Sequence, residues 1–144
     1  MANRPILLVE DSENDIELTI ASLAGHILNE VDVARDGAEA LDYLFRRGSF
    51  AGRVTAAPVL VMLDLKLPKV DGLEVLRTIK TDLTLKLLPV VVLTSSREQR
   101  DLVQSYELGV NAYVVKPVEF EKFVEAVKQL GLFWLLLNES PPMR

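Results

Sequence analysis

The amino-acid sequence predicts an α/β fold, a doubly wound, five-stranded parallel sheet with helices on both faces. The 144 residues are 49% hydrophobic and 26% charged, a composition typical of one globular domain. Five short apolar runs alternate with segments whose apolar residues recur at helical spacing, which is the pattern of repeated βαβ units. The runs are almost continuously apolar, as strands covered on both faces must be.

The five predicted strands are short and well separated along the chain. They cover residues 6–9, 31–34, 59–63, 90–93 and 112–115. The most economical arrangement for five such βα units is the flavodoxin-like strand order 2-1-3-4-5. This order places the first and third strands side by side at the centre of the sheet.

The five predicted helices are marked by apolar residues three or four positions apart. These are Ile16, Ile20, Leu23 and Ile27; Ala38, Leu41, Leu44 and Phe45; Leu73, Leu76, Ile79 and Leu83; Leu102, Val103 and Tyr106; and Phe120, Phe123, Val124, Val127 and Leu130. Residues 46–57 form the longest loop. We expect a single domain over residues 1–144, with a C-terminal extension over about 132–144.

Composition excludes several classes of function. The absence of cysteine excludes a disulfide framework, a thiolate zinc site and a cysteine nucleophile, and a single histidine excludes a multi-histidine metal site. The net charge of −5 argues against non-specific nucleic-acid binding. The longest apolar run, residues 132–137, is too short for a membrane span. We therefore expect a cytoplasmic protein with neither a membrane nor a nucleic acid as partner.

Acidic residues follow two strands that the predicted order makes neighbours. Glu10 and Asp11 follow the first strand, and Asp64 follows the third. Ligands of open parallel sheets collect at the carboxyl ends of the strands where the strand order reverses, which here lies between these two. Like charges so close repel unless a cation joins them, and carboxylate oxygens suit Mg²⁺. The alternative is three unrelated, solvated loop acids.

A hydroxyl and an ammonium group are predicted at the same edge of the sheet. Thr94 follows the fourth strand and Lys116 the fifth. Beside a carboxylate and magnesium cluster, these groups suit the oxygens of a phosphoryl group. Taken singly, such a threonine is more often a helix N-cap and such a lysine more often a solvated surface residue.

Four segments together resemble the receiver domains of two-component response regulators. They are residues 9–11, 63–72, 93–95 and 115–117, and the similarity extends through the whole chain. The resemblance implies the receiver fold. It also implies that Asp64 accepts a phosphoryl group from a phosphohistidine of a sensor histidine kinase.

The resemblance also implies roles for the surrounding residues. Glu10 and Asp11 hold Mg²⁺ together with Asp64, and the backbone carbonyl of Lys66 supplies a further ligand. Lys116 binds the phosphoryl group and Thr94 is the switch hydroxyl. Tyr113 matches an aromatic residue that turns inward on activation. Pro117 matches a proline that follows a cis peptide bond.

The chain resembles a stand-alone receiver, which signals through its own surface. The loop 46–57, the run 106–113 and the ending Phe133-Trp134 resemble the single-domain regulators paired with bacterial phytochrome kinases. Regulators of that group form dimers through their last two helices and last strand, so we expect a homodimer. The same pattern also occurs with other sensor kinases. The apolar run 132–137 is either a partner surface or a segment that folds back over the core.

Three other functions are alternatives to a receiver. Dehalogenase-type phosphatases need a second acid two residues after the acceptor, where this chain has Lys66. Flavin binding needs a phosphate loop after the first strand, but the acidic stretch 11–15 would repel phosphate. A degenerate receiver that only binds proteins stays open, although every phosphorylation residue is present. We expect a phosphoacceptor signalling domain that is not an enzyme and that catalyses only its own phosphotransfer and dephosphorylation.

Overall fold

The structure is a computed structural model that describes residues 4–53, 57–94, 107–108, 110 and 112–131. In chain order its elements are β1 (Ile6–Val9), α1 (Glu13–Leu23), β2 (Val31–Ala34), α2 (Gly37–Phe45), a 3-10 turn (Gly48–Phe50), β3 (Leu60–Asp64), α3 (Gly72–Thr81), β4 (Val90–Thr94), β5 (Ala112–Val115) and α4 (Phe120–Gln129). The helix predicted around Leu102 and the apolar run 132–137 lie outside the described residues.

The five strands form one parallel sheet of order β2-β1-β3-β4-β5, which confirms the predicted fold class. Val9 at the end of β1 pairs with Ala34 of β2 and Leu63 of β3. All residues of β1, β3 and β4 are buried. This explains why these strands are almost continuously apolar in sequence.

Alternate residues of β1, β3 and β4 contribute to two separate cores, one on each face of the sheet. On one face, Leu7 and Val9 pack with the buried residues of α2 and α3. On the other face, Ile6 and Leu8 pack with those of α1 and α4, including the fully buried Phe123. The two cores hold the sheet between two helical layers. Because all the strands are parallel, their carboxyl ends form one common edge.

Some predicted element boundaries and core positions were wrong. In α1, Thr19 is buried while Ile20 is 36% exposed. Leu83 was expected on the buried face of α3 but is 82% exposed, since the helix ends at Thr81. The third strand begins one residue later than predicted and ends at Asp64, which is therefore a strand residue.

Side-chain caps begin three of the helices and set where the loops at the carboxyl edge end. Ser12 caps α1, Asp36 caps α2 and Asp71 caps α3, each accepting a hydrogen bond from a first-turn backbone amide. None of the helices in the described part of the chain has the length and hydrophobicity of a membrane span.

Candidate functional site

Three carboxylates meet at the carboxyl edge of the sheet. Glu10 follows β1, Asp11 comes next, and Asp64 ends β3. Each offers an oxygen, and the three oxygens lie within 4.8 Å of one another. Glu10 and Asp64 are buried, with 1% and 4% of their surface exposed, whereas Asp11 is exposed. We call these three residues the acidic cluster.

The acidic cluster has the donor chemistry that a divalent cation requires. Hard oxygen ligands at this spacing suit Mg²⁺, which keeps several waters and takes few protein carboxylates. Burial is the main reason that the pKa of Glu10 is raised to about 7, although its hydrogen bond from Lys116 acts in the opposite direction. A cation at the cluster would relieve the cost of placing these charges together.

Lys116 is the cation that the structure places inside the acidic cluster. It follows β5, where its backbone amide donates to the Thr94 carbonyl at 2.7 Å. Its Nζ donates to Glu10 Oε1 at 2.8 Å and to Asp64 Oδ2 at 3.0 Å. Its side chain is only 11% exposed. Burial opposes the charge on Lys116, but the hydrogen bonds to carboxylates outweigh it, so its pKa is raised.

The backbone fixes the Asp64 carboxylate from the other side. The Lys66 amide donates to Asp64 Oδ1 at 3.0 Å, and the Gly72 amide donates to the Leu65 carbonyl at 3.1 Å. A Cβ at Gly72 would lie 2.3 Å from the Asp64 carbonyl oxygen, so the start of α3 can approach the strand only at a glycine. Both oxygens of Asp64 are therefore held in place before any ligand arrives.

Residues 65–71, which we call the β3–α3 loop, are braced by the start of α2. The Gly37 amide donates to the Pro68 carbonyl at 3.4 Å, and Lys69 Nζ lies 3.5 Å from Asp36 Oδ2. Lys69 adopts a left-handed conformation with φ of 68°. The loop carries the backbone carbonyl of Lys66 and lines a cavity of about 510 Å³ beside Asp11.

Thr94 and Tyr113 occupy neighbouring strands. Thr94 is the last residue of β4 and is 2% exposed. Tyr113 lies on β5, paired with Val92, and is 37% exposed. In this conformation Tyr113 is therefore at the surface. The Lys116–Pro117 peptide bond is cis, which confirms that expectation.

Asp15 also belongs to the site, although the sequence analysis does not predict a role for it there. It lies in the first turn of α1, and its Oδ2 accepts a hydrogen bond from Lys116 Nζ at 3.0 Å. Its position at the start of the predicted helix places it near the carboxyl edge of the sheet, but does not specify the contact with Lys116. The first turn of α1 lies close to the end of β1, because only three residues separate the two elements.

Comparisons with known proteins agree on one family. The sequence model of the response regulator receiver domain family matches residues 6–128 of this chain. Response regulator Rcp1 of Synechocystis sp. is 42% identical over 131 residues, which cover 90% of this chain and 88% of Rcp1. The probable methanogenesis regulatory protein FilR2 of Methanothrix harundinacea is 42% identical over 137 residues, covering 94% of this chain and 86% of FilR2.

Solved structures show the same similarity. The bacteriophytochrome response regulator AtBRR is 62% identical, covers 95% of this chain and 99% of its own, and superposes with a TM-score of 0.87. The phosphorylated cyanobacterial phytochrome response regulator RcpA is 43% identical, with a TM-score of 0.78 and coverage of 99% and 100%. The Mn²⁺-bound form of Rcp1 is 40% identical, with a TM-score of 0.76 and coverage of 97% and 99%.

Proposed function

This chain belongs to the response regulator receiver domain family, and on that premise we propose that Asp64 accepts a phosphoryl group from a sensor histidine kinase. The observation that supports this most is the contact between Lys116 Nζ and Asp64 Oδ2 at 3.0 Å inside the acidic cluster. A nucleophilic carboxylate, an ammonium group and metal-binding carboxylates are thereby within reach of one phosphoryl group.

In the proposed reaction, a carboxylate oxygen of Asp64 attacks the phosphorus of a phosphohistidine. An O–P bond forms, the P–N bond breaks, and the imidazole leaves with its electron pair. The Lys116 ammonium binds an oxygen of the transferred group, and the Lys66 amide keeps the carboxylate oriented. The chain itself supplies positioning and charge, which are the main contributions to phosphoryl transfer.

We propose Mg²⁺ as the metal, held by Glu10, Asp11 and Asp64 with the backbone carbonyl of Lys66. When bound, the metal would offset the charge of the phosphoryl oxygens and of the carboxylates around them. The proposal is supported by the oxygen donors of the acidic cluster and by the Mn²⁺-bound form of Rcp1.

The proposed output is a change of surface. An aspartyl phosphate adds up to about two negative charges, which attract the Thr94 hydroxyl and the Lys116 ammonium. Movement of Thr94 makes room for Tyr113, which is now exposed, to turn inward from β5. The surface around β5 would then differ between the two states and bias binding to a partner.

We further propose a bacterial phytochrome as the kinase and a homodimer as the assembly. Support for the kinase comes from AtBRR, a bacteriophytochrome response regulator, and RcpA, a cyanobacterial phytochrome response regulator. FilR2 and Rcp1 are each 42% identical to this chain, and FilR2 is named as a probable methanogenesis regulatory protein. The alternative is therefore a sensor kinase that is not a phytochrome. Phosphotransfer from a phytochrome kinase, compared with an unrelated kinase, tests the partner, and light scattering tests the dimer. We also propose that the protein acts in the cytoplasm and binds neither a nucleic acid nor a membrane.

Intact mass after incubation with Mg²⁺ and acetyl phosphate tests the proposed function. We expect one added phosphoryl group, which is lost in Asp64→Asn and with a chelator. Asp42→Asn is the matched control because Asp42 of α2 forms a solvent-exposed ion pair with Arg47, which follows the helix. If no adduct forms on folded protein, even with candidate kinases, the chain is instead a degenerate receiver that only binds proteins.

A further inference from the structure

We propose that Asp15 is a positioning residue that competes with the phosphoryl group for the Lys116 ammonium. The inference rests on the proposed function and extends it to a residue outside the acidic cluster. Asp15 comes from α1, a different element from those that carry Glu10 and Asp64. It therefore holds one N–H group of Lys116 toward the helix while the lysine also contacts the acceptor.

The hydrogen-bond count of Lys116 is the basis of this competition. An ammonium group has three N–H donors. Lys116 Nζ donates to Glu10 at 2.8 Å, to Asp15 at 3.0 Å and to Asp64 at 3.0 Å, so all three donors are used. A phosphoryl oxygen can be bound by Lys116 only if one carboxylate gives up its bond.

Exposure decides which carboxylate gives up its bond most easily. The side chain of Asp15 is 33% exposed, whereas those of Glu10 and Asp64 are 1% and 5% exposed. When Lys116 leaves Asp15, water can solvate the carboxylate at once. When it leaves Glu10, a charge stays behind with little access to water, which is far more costly. Asp64 loses its carboxylate charge only once the new O–P bond has formed, so while the phosphoryl group approaches, breaking its bond to Lys116 is costly for the same reason. The bond to Asp15 is thus the one exchanged for a phosphoryl oxygen.

The capping of α1 does not depend on the Asp15 carboxylate. The Ser12 hydroxyl accepts its hydrogen bond from the Asp15 backbone amide at 3.2 Å, and a substituted side chain leaves that amide in place. Glu13, two residues earlier, is a matched control. It is an acid in the same helical turn, and it pairs with Arg35 at 2.6 Å at an exposed position.

The affinity for beryllofluoride, a mimic of the phosphoryl group, tests the inference when it is measured with Mg²⁺ by ¹⁹F NMR. Asp15→Asn and Asp15→Ala should bind about two- to tenfold more tightly than the wild type, the range expected for one hydrogen bond that no longer competes. Glu13→Gln should match the wild type, and Asp15→Glu should restore the wild-type affinity. A purely structural role of Asp15 would weaken binding and lower the unfolding midpoint together.

Two results would overturn the inference, and they are distinguishable from each other. If the wild type binds beryllofluoride but Asp15→Asn binds no more tightly than Glu13→Gln, Asp15 does not compete for Lys116 and the proposed function stands. If the folded wild type shows no Mg²⁺-dependent binding, both the proposed function and the inference fail.

Discussion

Replacing Gly37 with alanine should destabilise the fold and the β3–α3 loop together. A Cβ at this position would lie 1.7 Å from the Val70 carbonyl oxygen and 2.6 Å from its carbonyl carbon. Because both atoms belong to the backbone, α2 or the loop must move by more than an ångström. We expect a loss of about 3 kcal/mol in the free energy of unfolding, at the upper end of overpacking costs. Helix propensity alone predicts the opposite sign, since alanine is the better helix former.

Urea denaturation measures the loss, and a thermal melt should show a decrease of about 10 °C for a domain of this size. Gly52→Ala is the matched control, because a Cβ there meets no atom within 4 Å and the backbone needs no left-handed conformation. Calorimetric titration with Mg²⁺ should also give weaker binding for Gly37→Ala, since the displaced loop carries the Lys66 carbonyl. Equal stability of the two variants would refute the close packing of α2 on the loop.

Three further substitutions test other parts of the structure by urea denaturation. With a chelator present, Lys116→Met should lower the free energy of unfolding by about 3 kcal/mol, because the buried Glu10 and Asp64 lose their cation. Mg²⁺ should restore part of this stability. An unchanged stability in chelator would contradict the pairing of Lys116 with these carboxylates. Phe123→Ala, which empties a fully buried position of α4, should cost about 4 kcal/mol. Val124 is only partly buried, so Val124→Ala should lower the free energy of unfolding clearly less than Phe123→Ala. Equal losses would contradict the assignment of Phe123 to the buried face of α4. Asp71→Ala removes the cap that accepts from two α3 amides and should cost about 1 kcal/mol, whereas an unchanged midpoint would show that the cap is dispensable.

The fold could be predicted because short stretches of the sequence mark each strand clearly. Continuous apolar runs such as residues 6–9 belong to strands buried on both faces, and short βα units allow few strand orders. The meeting of Glu10 with Asp64 follows from the same order, since adjacent parallel strands end at the same edge. Sequence reasoning therefore identified the acidic cluster and the arrival of Lys116 from the last strand.

What could not be predicted depends on side-chain reach and on loop packing. Leu83 continues the apolar spacing of α3, yet the helix ends at Thr81, so the residue is exposed. The contact of Asp15 with Lys116 joins residues 101 positions apart, and no spacing rule specifies it. The packing of Gly37 against Val70 could not be predicted either, because it depends on how closely the start of α2 approaches the β3–α3 loop.

Locating the phosphoryl group tests the central proposal most directly. Borohydride reduces an aspartyl phosphate to homoserine, so the protein can be phosphorylated with Mg²⁺ and acetyl phosphate, reduced, digested and mapped by tandem mass spectrometry. We expect homoserine at position 64, and none there when Mg²⁺ is chelated. A reduced residue at Glu10 or Asp11 instead, or none anywhere in folded protein that carries the added mass, would contradict Asp64 as the acceptor.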